Sequence, residues 1–346
     1  MANERLIWAD SLKGYLMILV ILGHAIQSVL VDNFSTNHVW NIIYSFHMPA
    51  FMAVSGWVTY RGVSVSKLPN SNWGGYLFLC KRRAQQLLIP YFVWSLIAFV
   101  HSCDFNFERF SKILLVPDAY LWFLWVLFWI CVLFHLAQLI ALKLKLNEMV
   151  FIFGTCLLFF GLMVLMEIRV FGFQFIAYYF LFYSIGYCLH KYETTKSLII
   201  INKPISMIVL AFIWIFLAWG WTMHDLPSWM PVIPNLPTTL LQYAYRGMTA
   251  MLAIIVLIGM SQNILNGRGV FNRFISGVGV ISLGMYTCHL VFLGHIKDIL
   301  LLLCSGVNLW LIITLTSMLA FVIASIVVRF LAKNEITARI FLGKFK

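Results

Sequence analysis

The stretch YLWFLWVLFWICVLFHLAQLIAL, residues 120–142, runs for 23 residues without a Lys, Arg, Asp or Glu. A helix rises about 1.5 Å per residue, so this run reaches across a hydrocarbon core of about 30 Å. Its apolar residues are continuous rather than alternating, which excludes the short two-residue-repeat strands of a membrane β-barrel. Comparable runs flank it at 14–31, 39–60, 86–103, 149–166, 171–190, 205–223, 238–260, 277–301 and 308–332. Ten spans predict an all-α fold, a polytopic transmembrane helix bundle forming a single domain over 1–346. The whole chain agrees: of 346 residues, 62% are hydrophobic and 10% charged, with a mean hydropathy of +0.92. A soluble domain is about half apolar and about a quarter charged, and none of this size could hide so much apolar surface. A soluble enzyme, a disordered chain and a nucleic-acid-binding module are excluded, despite a net charge of +12.

The distribution of Lys and Arg sets the orientation. With a cytoplasmic N-terminus, the inner segments carry Arg5, Lys13, Arg61, Lys67, Lys81, Arg82, Arg83, Lys143, Lys145, Lys191, Lys196, Lys203, Arg268, Arg273, Arg329, Lys333, Arg339, Lys344 and Lys346. The outer side keeps only Arg109, Lys112, Arg169 and Lys297, and Arg246 falls inside the eighth span. This alternation predicts that both termini are cytoplasmic. No cleavable signal peptide is expected, since Gly23, His24 and Gln27 interrupt the first span and no small-residue cleavage pattern follows. The basic tail 333–346 is expected on anionic headgroups. Cysteines 80, 103, 131, 156, 188, 288 and 304 show no CxxC spacing and read as small buried hydrophobes, with no metal site implied.

Ionisable groups inside a membrane are costly and are functional candidates by default. His24, His47 and His289 fall near the middle of the first, second and ninth spans, and His135 lies on an apolar stretch where a structural role is expected. All twelve carboxylates (Glu4, Asp10, Asp32, Asp104, Glu108, Asp118, Glu148, Glu167, Glu193, Asp225, Asp298 and Glu335) fall in loops, tails or near span ends. A proton- or sodium-coupled transporter usually needs one near the midplane. Histidines at that depth suit proton transfer, because imidazole titrates near neutrality. Lys13 and His24 are eleven residues apart, three helical turns plus about 20°, so they share a face about 16 Å apart along the axis. A ligand with an anionic head and a long thin arm, the shape of coenzyme A, would bridge them. Arg82 and Arg83 on the same side could complete a phosphate clamp, although interfacial anchoring is the commoner use of such a pair. Asp10 is expected to pair with Lys13 at i,i+3. Arg246 has no acid in its own span, so it contacts carbonyls or faces a water-filled cavity, and the cavity is the reading adopted.

Several blocks together resemble the acyltransferase-3 family of membrane proteins. RLIWADSLKGYLMILVILGH (5–24) resembles its first span, a basic residue, ten residues, then histidine, here Lys13 and His24 with Lys where many members have Arg. SFHMPAFMAVSGW (45–57), KRRAQQLLIPYFVW (81–94), YLWFLWVLFW (120–129, with Trp122) and ISLGMYTCHL (281–290) resemble further family blocks in the expected order. The stand-alone form resembles most the branch tied to sugar O-acetylation. The resemblance implies integral-membrane transfer of an acyl group, acetyl in this branch, from cytoplasmic acetyl-CoA to a hydroxyl of a cell-surface polysaccharide or its lipid-linked precursor. It places the protein in a bacterial inner membrane, with acyl-CoA, a carbohydrate acceptor and lipids as partners and no nucleic acid.

Within that frame His24 is the general base or an acyl relay, with Lys13 its basic partner and His47 and His289 further catalytic candidates. Lys13, Arg82 and Arg83 are the donor-binding candidates. Arg246, Tyr286 and Trp122 are the substrate-binding candidates. An oxyanion donor is expected among His47, His289, Tyr286 and Ser55. Trp219, Trp221 and Trp229 near Arg246 form either an interfacial aromatic belt, the commoner reading by position, or a platform for a sugar ring. Pro227, Pro231, Pro234 and Pro237 stiffen the loop 224–237 beside them. The alternative from another class is a transporter or flippase for a lipid-linked sugar, which predicts inverted repeats and paired broken helices.

Overall fold

The computed structural model describes residues 6–62, 72–101, 110–113, 121–166, 168, 170–192, 203–223, 225–231, 233, 237–265, 267, 269–304 and 306–344. Arg5, Lys67, Arg109, Arg169, Lys196, Arg268 and Lys346 of the orientation argument lie outside these residues. So do Glu4, Asp104, Glu108, Asp118, Glu167, Glu193, Cys103 and Pro234. The described elements are α1 (Ile7–Leu30), a 3-10 turn (Val31–Thr36), α2 (His38–Gly62), α3 (Trp73–His101), α4 (Trp122–Lys143), α5 (Glu148–Met166), a 3-10 turn (Val170–Gly172), α6 (Phe173–Lys191), α7 (Pro204–Trp219), α8 (Thr238–Ile264), α9 (Val270–Leu303), α10 (Leu309–Leu331) and α11 (Glu335–Leu342).

The chain is an all-helical integral membrane protein. Eight of the described helices are long and apolar enough to cross a membrane. The two remaining expected spans differ in kind. α2 has the length, at 25 residues, but His38, Asn41, Ser45, His47 and Ser55 dilute its hydropathy. α7 is apolar but has only 16 residues, about 24 Å at the helical rise. It stops at Trp219 because Gly220 and the Thr222–Asp225 turn follow, where the Thr222 hydroxyl donates to the Asp225 carbonyl at 2.7 Å. α1 and α3 begin well before their apolar windows. Asp10 and Lys13 pair across the first two turns of α1, and good helix formers such as Arg83, Ala84 and Gln85 carry α3 inward.

Two compact units emerge, residues 1–54 with 192–328, and residues 55–191 with 329–346. In the first, α1 packs most extensively against α9, with α8 beside α1 and α7. Glycines permit the α1–α9 approach. A Cβ on Gly14 would sit 2.1 Å from the Ile275 carbonyl oxygen, and one on Gly279 would sit 1.7 Å from that of Asp10. Small residues let membrane helices pack backbone to backbone where no hydrophobic drive separates helix from lipid. Gly14 meets Gly279 and, further along, His24 meets His289 at the same sequence separation, so the two helices run parallel.

In the second unit α4 packs on α3, α5 and α6, and α11 packs on α3. A polar network ties α4, α5 and α6 at one end. His135 Nδ1 donates to Gln138 Oε1 at 2.9 Å, and Gln138 Nε2 to Glu148 Oε1 at 2.6 Å. Tyr187 donates to Glu148 Oε1 at 2.8 Å, and Lys191 pairs with Oε2 at 2.5 Å. His135 is thus tied into this network through Nδ1. The described part of the tail holds α11: Asn334 caps it by accepting from the Ile336 amide at 2.8 Å, and the Trp94 indole donates to the Phe341 carbonyl at 3.0 Å. The six described cysteines are free.

Candidate active site

α1 carries Lys13 in its second turn and His24 in its fifth, on one uninterrupted helix. Lys13 Nζ lies 3.5 Å from Asp10 Oδ1, the pair its spacing predicted. Ten residues above the Gly14 and Gly279 contact, the parallel register brings His24 of α1 against His289 of α9. Their ring centroids are 5.3 Å apart. Tyr44 of α2 closes the group, its ring edge-on to His24 at 6.4 Å and to His47 at 4.6 Å. Gly23 makes room for it, since a Cβ there would meet the Tyr44 ring at 2.9 Å. Trp40 stacks on Tyr44 at 3.9 Å, and the Tyr44 hydroxyl donates to Gln27 Oε1 at 3.2 Å. Three histidines from three helices, and the tyrosine among them, form one cluster within the first unit.

The tautomers of the flanking histidines follow from their partners. His47 Nδ1 lies 2.8 Å from the Ile43 carbonyl oxygen. His289 Nδ1 lies 2.9 Å from that of Tyr286 and 3.1 Å from that of Met285. A carbonyl only accepts, so the proton of each neutral ring sits on Nδ1 and the Nε2 lone pair is left over. His289 Nε2 is buried with no partner. Both rings are buried, whereas His24 is partly exposed. In its neutral form each of these rings is an acceptor at Nε2. Pro49, two residues beyond His47, has no N–H to return to the Ser45 carbonyl, leaving α2 short of one helical bond beside the cluster.

Tyr286 lies on α9 one turn before His289, buried, with its ring 5.9 Å away. Arg246 takes the carbonyl option instead of the cavity expected. It donates to the Met223 carbonyl, and its guanidinium lies 5.1 Å over the Trp221 ring. The loop after α7 folds back over the first turns of α8, so a neutral partner reaches the cation. Arg82, Arg83, Ser55 and Trp122 belong to the second unit. Arg82 is exposed; Arg83 donates to Gln86 Oε1 at 3.2 Å. Trp122 stacks on Phe175 at 4.9 Å and Tyr179 at 5.2 Å. Among the described residues no three His, Cys, Asp or Glu side chains gather as a metal site requires. Sequence reasoning overlooked Tyr44 and Gln27, although each lies one turn from a singled-out histidine on the same helix.

A family model described as an acyltransferase domain matches residues 6–330. The chain belongs to the acyltransferase-3 family. Two proteins named nodulation protein NolL are similar to it. That of Sinorhizobium fredii is 39% identical over 139 residues, covering 36% of this chain and 34% of that protein. That of Mesorhizobium japonicum is 32% identical over 136 residues, with the same coverage. The chain thus matches about a third of the length of these curated relatives. No solved structure matches. The acyltransferase-3 match runs from α1 into α10 and so includes α1, α2 and α9, the three helices that build the histidine cluster.

Proposed function

We propose that this acyltransferase-3 protein moves an acetyl group from cytoplasmic acetyl-CoA to a hydroxyl of a cell-surface polysaccharide or its lipid-linked precursor. The reading places it in a bacterial inner membrane with both termini inside. The observation that carries it is the cluster itself: one partly open histidine, His24, held against buried His289, whose Nε2 has no partner, with His47 joined to the group through Tyr44.

His24 takes the proton from the acceptor hydroxyl as the oxygen adds to the thioester carbonyl. A C–O bond forms, the C–S bond breaks, and His24 returns the proton to the departing thiolate. While His24 is an imidazolium, His289 offers it a lone pair, the stabilising part a carboxylate plays in a Ser-His-Asp site. Tyr44 fixes the imidazole plane from the other side. Acetyl-CoA supplies an activated acyl group on a long arm whose phosphates need a cation at the inner end. Lys13, about 16 Å along the axis from His24, fits that need, as a point charge without the planar fork of an arginine. Arg82 and Arg83 stay candidate phosphate ligands, each to be judged by its own substitution.

The test is transfer from radiolabelled acetyl-CoA to a mixed glycan acceptor by the detergent-purified protein, with free thiol followed in parallel. The reading requires acceptor-dependent thiol release that disappears in His24→Ala. If the wild type neither binds acetyl-CoA nor changes on loss of His24, acyl transfer is abandoned in favour of flippase assays.

A further inference from the structure

The first unit holds a pocket of about 550 Å³ where α2 begins and α7 ends. That volume falls within the roughly 300–1,000 Å³ of small-ligand sites. Its walls include His38 and Asn41 of α2, Trp219 closing α7, and Trp221, Asp225 and Trp229 of the loop that follows.

Two polar atoms on this wall are buried and unpartnered, Asn41 Oδ1 and Trp221 Nε1. Their residues are only 3% and 6% exposed. Leaving such a group unsatisfied is costly, and a ligand recovers that cost if it brings a donor to the first and an acceptor to the second. A hydroxyl group does both. Beside them stand flat ring faces. His38 stacks on Trp219 at 4.9 Å with planes 9° apart, and Trp219 and Trp229 remain 61% and 50% exposed. Indole faces with nearby hydrogen-bonding atoms match a ring that has apolar C–H faces and a hydroxylated edge. The described lining contains no Lys or Arg and one carboxylate, Asp225, so a phosphate or other anion is disfavoured. Arg246, braced on Met223 and Trp221, holds the wall without lining it.

The pocket wall and the histidine cluster share α2. Asn41 lies one turn before Tyr44 and six residues before His47 on α2, about 9 Å along the axis. Tyr44 in turn touches the rings of both His24 and His47.

We propose that this pocket holds a neutral pyranose unit of the acceptor, its ring face on Trp229 or Trp219 and its hydroxyls on Asn41 Oδ1 and Trp221 Nε1. The inference rests on the acyl-acceptor reading above and gives that acceptor a seat.

The probes are the methyl glycosides of glucose, galactose and mannose, their 2-acetamido counterparts, and methyl glucuronide as the charged comparison. Binding to the detergent-purified full chain is followed by saturation-transfer NMR, alongside label transfer from acetyl-CoA to the same sugars. A neutral glycoside should bind better than the glucuronide. Its dissociation constant should rise about tenfold in Trp229→Ala and in Asn41→Leu, the loss of one stacked ring or one buried hydrogen bond. Trp229→Tyr, which keeps a ring, should recover most of the affinity. Trp229 is half exposed, so its replacement keeps the fold even if Asn41→Leu does not. Equal binding by wild type and both Trp229 and Asn41 variants, or no binding of any neutral glycoside at millimolar concentration, overturns the pocket assignment. Binding lost in the variants but no transfer by wild type keeps the sugar site and sinks the acyl-acceptor reading. Transfer by wild type with an acceptor KM unmoved by Trp229→Ala does the reverse.

Discussion

Gly279→Ala tests whether the histidine cluster depends on the α1–α9 contact. The added Cβ would lie 1.7 Å from the Asp10 carbonyl oxygen and 2.6 Å from its carbon, where Cβ atoms essentially never come within 3.0 Å. The obstacle is backbone, which cannot rotate aside as a side chain can, so the helices must part by more than an ångström. Overpacking of this kind costs about 1–3 kcal/mol, which outweighs the helix-propensity gain of about 1 kcal/mol for Gly to Ala. His289 rides on α9 ten residues further on, and a displacement near 1 Å at a reacting geometry costs about 10²-fold in rate. Gly277→Ala is the internal control, because nothing lies within 4 Å of a Cβ built there. It gains the propensity and meets no obstacle. Acetyl transfer and the thermal unfolding midpoint, measured on both variants in the same detergent, should show Gly279→Ala slower by about 10²-fold and less stable, and Gly277→Ala at or above wild type. Equal rates for the two variants would refute the reasoning that helix contact sets the site geometry.

Three further outcomes are expected. His24→Ala should lower turnover by about 10²- to 10⁴-fold, the usual worth of a general base, without aggregation on size exclusion; a variant retaining a tenth of the wild-type rate contradicts the assignment. Lys13→Ala should raise the apparent KM for the acyl donor about tenfold and leave kcat largely intact, as removal of uniform binding does, whereas a fall in kcat alone points to another role. Glu148→Gln should lower the unfolding midpoint through loss of about 1–3 kcal/mol, since Gln138, Tyr187 and Lys191 all converge on that carboxylate. Glu335→Gln, whose partner Arg339 is exposed, should change stability by at most about 0.5 kcal/mol; equal shifts would show that the inner network is not cooperative.

Legibility varied from helix to helix. The run 120–142 and the helix Trp122–Lys143 agree almost residue for residue, because length and continuous apolarity are local properties. α7 was read too long: the window 205–223 counted Trp219, Trp221 and Met223 as apolar without weighing the Thr222–Asp225 turn. The second span, 39–60, resembles a family block, yet α2 is not among the eight helices apolar enough to cross a membrane, since His38, Asn41, Ser45 and His47 interrupt it. At the site, the Lys13 and Asp10 pair was readable from i,i+3 spacing. The sequence offers the three tryptophans as an interfacial belt, the commoner reading, or as a platform for a sugar ring, and the fold gathers all three round one pocket. Arg246 was assigned a cavity because its span has no acid, yet a backbone carbonyl from the folded-back loop partners it. Backbone acceptors carry no sequence signature, which is why that contact escaped the reading.

The order of amino acids alone determined an all-helical membrane chain, since hydrophobic run length is matched to bilayer thickness one segment at a time. It also determined that Lys13 and His24 share a face, since 3.6 residues per turn is a property of any α-helix. Only the tertiary structure decided that His289, 265 residues away along the chain, stands 5.3 Å from His24 with Tyr44 beside them. Only it decided that Nδ1 of His47 and of His289 faces a backbone carbonyl of its own helix. Partner choice between helices depends on where small residues such as Gly14, Gly23 and Gly279 permit close approach, and that is a property of pairs of surfaces rather than of either sequence read by itself.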